Sequence, residues 1–184
     1  MAAAVAIVTD STAYLSAELA DRHRLTVVPL QIAVGGAVYD EGLGETDITA
    51  AEAAQALRDW NPVTTSRPAP ERFARAYAAA AAGGATGVVS VHLSAAMSGT
   101  VETARLAALD APVPVRVVDT GTIGMGLGFA ALSAAEAAGN GASLDEAAGA
   151  AERRAADCRS LFCVDTLEHL RRGGRIGAAG TLLG

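Results

Sequence analysis

The chain is 184 residues long, 51% apolar, with 14 basic and 20 acidic residues and a net charge of −6. That length holds one domain with a sizeable core, or one domain and part of another. The acidic balance excludes the concentrated positive face of a nucleic-acid binder, and no run of about 18 uninterrupted apolar residues exists to span a membrane.

Residues 5–8 form a short apolar run that ends in Thr9-Asp10-Ser11-Thr12. The stretch before them lacks a basic segment and meets Asp10 early, so it reads as a first buried strand and not as a signal peptide. Leu15 and Leu19 then recur at helical spacing, and Asp10 or Ser11 is the expected cap of that helix. Residues 25–34 are strand-like, with Pro29 pointing to an edge or a bulge. Gly35-Gly36 followed by Val38-Tyr39 reads as a hairpin return. A polar, Gly-containing loop at 40–47 leads to a helix over 50–59 capped by Thr49.

Thr64-Thr65-Ser66-Arg67-Pro68 comes next, and its prolines exclude a regular helix, which leaves a loop whose three hydroxyls are able to meet a ligand. An Ala-rich helix over 70–82 is closed by Gly83-Gly84. The β-branched run at 88–91 breaks into Ser94, Ser98, Gly99 and Thr100 and then into a helix reaching 109. Another strand at 113–118 ends in Asp119-Thr120-Gly121-Thr122, and a helix follows from Gly124 to about 138. Ser143 with Glu146 three residues on predicts a capping box for a helix that ends near Cys158. A strand at 161–164 and a short helix at 166–172, broken by Gly173-Gly174, complete the pattern.

Strands alternating with helices imply an α/β fold, a mostly parallel sheet with helices on both faces. Three strand ends, at 9–12, 94–100 and 119–122, carry similar small polar turns. Parallel strands bring such turns to one rim, where a crevice lined by hydroxyls and N–H groups suits a small oxygen-bearing ligand.

Gly124, Gly126 and Gly128 have the wrong spacing and position for a dinucleotide fingerprint, which favours close helix packing. All basic residues are Arg, so no phosphate-loop lysine exists. Ser98 lacks the flanking glycines of a nucleophile elbow, since Ala96 and Thr100 hold those places. His23, His92 and His169 read as satisfied or half-exposed histidines. Asp10 and Asp119 have hydroxyl neighbours, not further acids or histidines, which suits caps better than a metal. Cys158 and Cys163 lack a second pair and read as reduced core thiols.

The ordered set Thr9-Asp10-Ser11-Thr12, Val28-Pro29-Leu30, Thr65-Ser66-Arg67-Pro68, Ser98-Gly99-Thr100 and the closing run from Asp165 to Ile176 resembles the DegV family of bacterial fatty-acid-binding proteins. The resemblance covers essentially the whole chain. It implies a protein without enzymatic activity or cofactor, and the reduced thiols point to the cytoplasm. Such a protein holds one long-chain fatty acid and presents its carboxylate to a separate ATP-dependent fatty acid kinase, which makes acyl phosphate. By match of motif, Thr65 and Ser98 bond the carboxylate, Ser66 and Gly99 shape the loops around it, and Arg175 lies near the head group or at a domain junction. Asp10, Ser11 and Thr100 are rim residues. The small residues after Gly124 would leave room for the acyl tail. Residues 1–156 correspond to the ligand-binding lobe and 157–184 to the start of a second, incomplete lobe. The family usually has Gln where Arg67 stands and an aromatic where His169 stands. A transferase using Ser98 and Asp10, and a fragment unable to bind, are the competing readings.

Overall fold

The computed structural model describes residues 4–42, 47–161, 163, 167, 170, 171, 173 and 174. In chain order its elements are β1 (Val5–Asp10), a 3-10 turn (Ser11–Ala13), α1 (Ala17–Arg22), β2 (Leu25–Val28), β3 (Gln31–Val34), β4 (Ala37–Asp40), α2 (Ala50–Arg58), β5 (Val63–Ser66) and α3 (Pro70–Ala82). There follow β6 (Gly87–His92), α4 (Thr100–Ala108), β7 (Val115–Asp119), α5 (Met125–Gly139) and α6 (Leu144–Asp157).

Four strands form a parallel sheet in the order β2-β1-β6-β7. Successive side chains alternate across it, so each strand feeds two cores. Ile7, Val89, Val91 and Val118 pack on one face with Leu127, Ala130, Ala131 and Ala134 of α5 and Ala147, Ala148 and Ala151 of α6. Val8 and Val88 pack on the other with Phe73 and Tyr77 of α3 and Ala104 of α4. Central β6 is buried along its whole length, as a strand covered on both faces requires. The fold class therefore agrees with the alternation seen in the sequence.

A second, antiparallel sheet, β4-β3-β5, stands beside the first. Two expectations change here. The strand expected over 25–34 is divided at Pro29 and Leu30: Pro29 cannot donate a ladder hydrogen bond, and the chain leaves the parallel sheet there to begin the antiparallel one. The Thr64-Thr65-Ser66 segment is not a loop. It pairs with β3, Ile32 facing Thr65 and Gln31 facing Ser66, and β-branched Val63, Thr64 and Thr65 suit that pleated surface. The Gly35-Gly36 hairpin is present, both glycines holding positive φ.

Side-chain bonds fix the small sheet against the large one. Ser11 Oγ donates to Glu41 Oε2 (2.6 Å) and accepts from Leu30 N (3.0 Å), and Arg72 of α3 meets Asp40 of β4 at 2.7 Å. The predicted caps Thr49 and Ser143 each complete a capping box, with Glu52 and Glu146. The cap of α1 is Ser16, not Asp10 or Ser11; Asp10 caps the 3-10 turn, which intervenes before the helix.

Close approach explains the glycines of α5. A Cβ on Gly128 would stand 2.8 Å from the Ala13 carbonyl oxygen and 3.2 Å from Leu15 Cδ2, and one on Gly126 would stand 2.9 Å from Thr122 Oγ1. The small residues at these positions let α5 lie against the turn after β1, the close helix packing expected of them. The two cysteines are free thiols, but neither belongs to the core: Cys158 is half-buried and Cys163 exposed. Most of 161–172 and all of 175–184 lie outside the described residues, and with them Arg175, His169, most of the strand and helix expected at 161–172, and most of the second lobe expected to start at 157. Among the described residues no helix is long and apolar enough to cross a membrane.

Candidate functional site

The three turns do share one rim, at the carboxyl ends of β1, β6 and β7. Backbone bonds join them directly: Thr120 N donates to the His92 carbonyl (3.1 Å), Ser94 N to Thr122 O (2.9 Å), and Gly124 N to Thr12 O (2.9 Å). Asp119 Oδ1 accepts from Ala95 N (3.2 Å) and Gly121 N (3.0 Å), which makes it a turn cap. Among the described residues no three potential ligands cluster as a metal site would need.

Ser98 and Thr100 stand at the start of α4, their hydroxyls 2.8 Å apart. Thr100 is buried and Ser98 half-buried. No side chain caps α4, because the N-cap position is Gly99. The first N–H groups of that helix therefore lack a side-chain oxygen of their own. The Arg67 side chain lies over Gly99, where any Cβ would overlap its guanidinium. Arg67 follows Ser66, and Thr65 and Ser66 are exposed on the last residues of β5. Arg67, which directly follows the hydroxyl pair at the end of β5, thus reaches the backbone between Ser98 and Thr100 at the start of α4. Pinning of the small sheet by Ser11 and Arg72 sets that approach.

A pocket of about 190 Å³ opens along the same rim, lined by Met97, Thr120, Thr122, Ile123, Cys158 and Ser160. Tyr14 borders the rim near Gly124 in a left-handed backbone conformation (φ 51°). Partial burial, and then the nearby charge of Glu41, raise its phenol pKa above the ordinary value.

Asp10 lies beneath the rim, with no exposed surface. Its Oδ1 accepts from Thr12 N (3.1 Å) and Thr12 Oγ1 (2.5 Å), and its Oδ2 from Leu93 N (3.2 Å) and His92 Nδ1 (2.9 Å). His92 Nε2 is 2.6 Å from Ser90 Oγ, which is 2.9 Å from the Tyr77 hydroxyl. This Asp-His-Ser-Tyr chain is invisible to motif reading, because its members are scattered from residue 10 to residue 92. Strand alternation was the available signal: Val88, Ser90 and His92 share one face of β6, and Asp10 lies one step past the paired Thr9 and Val91. The chain has the order of a catalytic triad, but Ser90, His92 and Asp10 are all sealed from solvent, whereas a nucleophile must reach its substrate. The hydroxyl contact of Ser98 leads to Thr100, and Asp10 spends its oxygens on other donors, so the two residues of the transferase reading are not assembled as nucleophile and base.

A sequence profile of the DegV family, described as "Uncharacterised protein, DegV family", matches residues 4–184. The chain is 58% identical over 180 residues to a DegV domain-containing protein of Streptomyces coelicolor, a match covering 98% of this chain and 63% of that protein. Among solved structures, a DegV family protein from Thermus thermophilus, described by its fatty acid binding, is similar with a TM-score of 0.86 and 42% identity. That match covers 100% of this chain and 64% of the other. DegV from Bacillus subtilis, described as a fatty acid binding protein, matches with a TM-score of 0.86 and 30% identity over 99% of this chain and 64% of its own. The chain thus spans less than two thirds of the length of these relatives.

Proposed function

The chain belongs to the DegV family, and on that premise we propose that it binds a long-chain fatty acid through its carboxylate at the rim formed by Thr65, Ser66, Ser98 and Gly99. The observation that carries this reading is the contact of Arg67, next in the chain after Thr65 and Ser66, with Gly99 at the uncapped start of α4, in a fold whose Thermus thermophilus relative is described by its fatty acid binding. A carboxylate there accepts hydrogen bonds from the Ser98 and Thr65 hydroxyls and from the first N–H groups of α4, all favourable to an anion. Arg67, and Arg175 from the closing segment, add positive charge.

In this account the acyl tail supplies the affinity, since each buried methylene contributes about 0.8 kcal/mol. The hydroxyls set orientation. A carboxylate held at a rim by donors, and not attacked by a nucleophile, is suited to being handed on. The chain is accordingly a carrier that presents the acid to a separate ATP-dependent fatty acid kinase in the cytoplasm, with residues 1–156 as the binding lobe. Native mass spectrometry of the purified protein supplied with palmitate tests the binding step: a one-to-one adduct supports it, and absence of any adduct refutes it for this chain.

A further inference from the structure

We propose that Asp10 and His92 are positioning residues for the head-group loop 94–100, an inference that rests on the reading of that loop as the carboxylate site. The loop leaves the sheet at Leu93, and the junction is held from every side. Asp10 Oδ2 takes both the Leu93 N–H and the His92 Nδ1–H, while Oδ1 takes the two donors of Thr12 in the neighbouring turn. One carboxylate therefore binds the end of β1 to the end of β6. The His92 carbonyl in turn accepts from Thr120 N and, at 2.8 Å, from Thr120 Oγ1, which adds the end of β7.

The imidazole is itself fixed. Ser90 holds Nε2, and Phe73 meets the ring edge-on with centroids 5.0 Å apart. A neutral ring carrying hydrogen on Nδ1 satisfies every member: Tyr77 donates to Ser90, Ser90 to Nε2, and Nδ1–H to Asp10. A buried carboxylate accepting four hydrogen bonds is a rigid anchor, because each donor that moves away leaves an uncompensated charge in a dry interior. Beyond the junction the loop is tied to the β7 turn through Ser94 N on Thr122 O (2.9 Å) and Ala95 N on Asp119 Oδ1 (3.2 Å), and internally through the Ala96 amide on Ser94 Oγ (3.2 Å) and the Met97 and Ser98 amides on Ser94 O (2.9 and 3.2 Å). The start of the loop is therefore set at Leu93 by Asp10 and His92, and the β7 turn that holds Ser94 and Ala95 is itself tied to the His92 carbonyl through Thr120.

Two substitutions at one position separate positioning from plain stability. In His92→Asn the amide nitrogen takes the place of Nδ1 and keeps the bond to Asp10. In His92→Gln it reaches toward the Nε2 place and loses that bond. Both remove the ring. Amide hydrogen exchange is measured on the 184-residue chain, with Ala147 and Ala151 of α6 as internal controls, and palmitate affinity is measured alongside. His92→Gln is expected to speed exchange at Met97 and Ser98 about tenfold over the α6 controls, and His92→Asn to stay within about threefold of the parent, the difference of one charge-assisted hydrogen bond. Palmitate affinity follows the same order. Equal acceleration in the two variants, or none in His92→Gln, overturns the proposal. If His92→Gln does not fold, Asp10→Asn carries the same test, since one of its two donor sets then faces an NH₂ group; rim exchange no faster than α6 exchange overturns the proposal there. A parent chain that takes up no palmitate defeats the functional reading, and the exchange comparison then decides by itself whether the pair holds the loop.

Discussion

His92 Nδ1 lies 2.9 Å from Asp10 Oδ2, and neither side chain has any exposed surface. Such a pair is expensive to break from one side, because the partner left behind stays buried without compensation. Asp10→Ala orphans the imidazole, the Leu93 amide and both donors of Thr12 at once. It is expected to destabilise the fold by about 3–5 kcal/mol in urea titrations, and a loss below about 1 kcal/mol would show that water or a rearranged turn satisfies those donors.

Tyr77 extends the chain of hydrogen bonds and gives it an alkaline limit. Burial pushes its phenol pKa up from 10.0 to about 12, against a smaller lowering by the Ser90 hydroxyl. A pKa raised in the folded state means the protonated form is favoured by folding. Its contribution is whole below the ordinary value of 10.0 and is lost as the pH climbs through about 12. Unfolding free energy measured across that window is expected to fall more steeply for the parent than for Tyr77→Phe. The variant should also lose about 1 kcal/mol at neutral pH with its hydroxyl. Parallel curves would contradict the assignment.

Gly126 and Gly128 give opposite expectations although they are neighbours on α5. At Gly128 the obstacle is the Ala13 backbone oxygen, which cannot swing aside. At Gly126 it is two side-chain hydroxyls, Thr122 and Ser160, which can. Gly128→Ala is therefore expected to destabilise by about 1–3 kcal/mol. Gly126→Ala should stay near neutral as the gain in helix propensity of about 1 kcal/mol offsets the adjustment. Thermal unfolding of the two variants decides, and equal shifts would mean that α5 moves as a body.

At the far end of the chain, the Ser143 backbone N–H, and then its hydroxyl, hold the Glu146 carboxyl below its usual value of 4.5. A lowered pKa stabilises the folded state above that usual value, and the benefit disappears as the pH falls through the lowered one. Ser143→Ala is expected to cost about 1 kcal/mol at neutral pH, as loss of an N-cap does. The gap between variant and parent should narrow in acid, and a gap independent of pH would remove Glu146 from the cap.

Much of this architecture is legible in the sequence because its signals are local. Period-two and period-3.6 apolar spacing marks the strands and helices, Thr49 and Ser143 announce their helices, and alternation of strand and helix puts the three polar turns on one rim. Pairing across distance is not local, and there the reading falls short. Val63–Ser66 looks like a loop because its prolines lie just beyond, and it becomes a strand only when β3 is present to pair with it. His92 reads as an ordinary core histidine, and its partner is an aspartate eighty-two positions earlier that the register of β1 and β6 places alongside. The link from Arg67 to Gly99 depends on how two separate sheets are pinned together, which no spacing in the sequence encodes.

Isothermal titration of palmitate into the parent chain and into the Thr65→Ala/Ser98→Ala double variant tests the carboxylate site most directly. The account predicts saturable one-to-one binding by the parent. In the double variant, affinity should fall by about a hundredfold or more, the loss of two hydrogen bonds to a charged group at about 1.5 kcal/mol or more each, while circular dichroism shows a folded protein. Palmitate bound equally well by both proteins would contradict it and place the head group elsewhere.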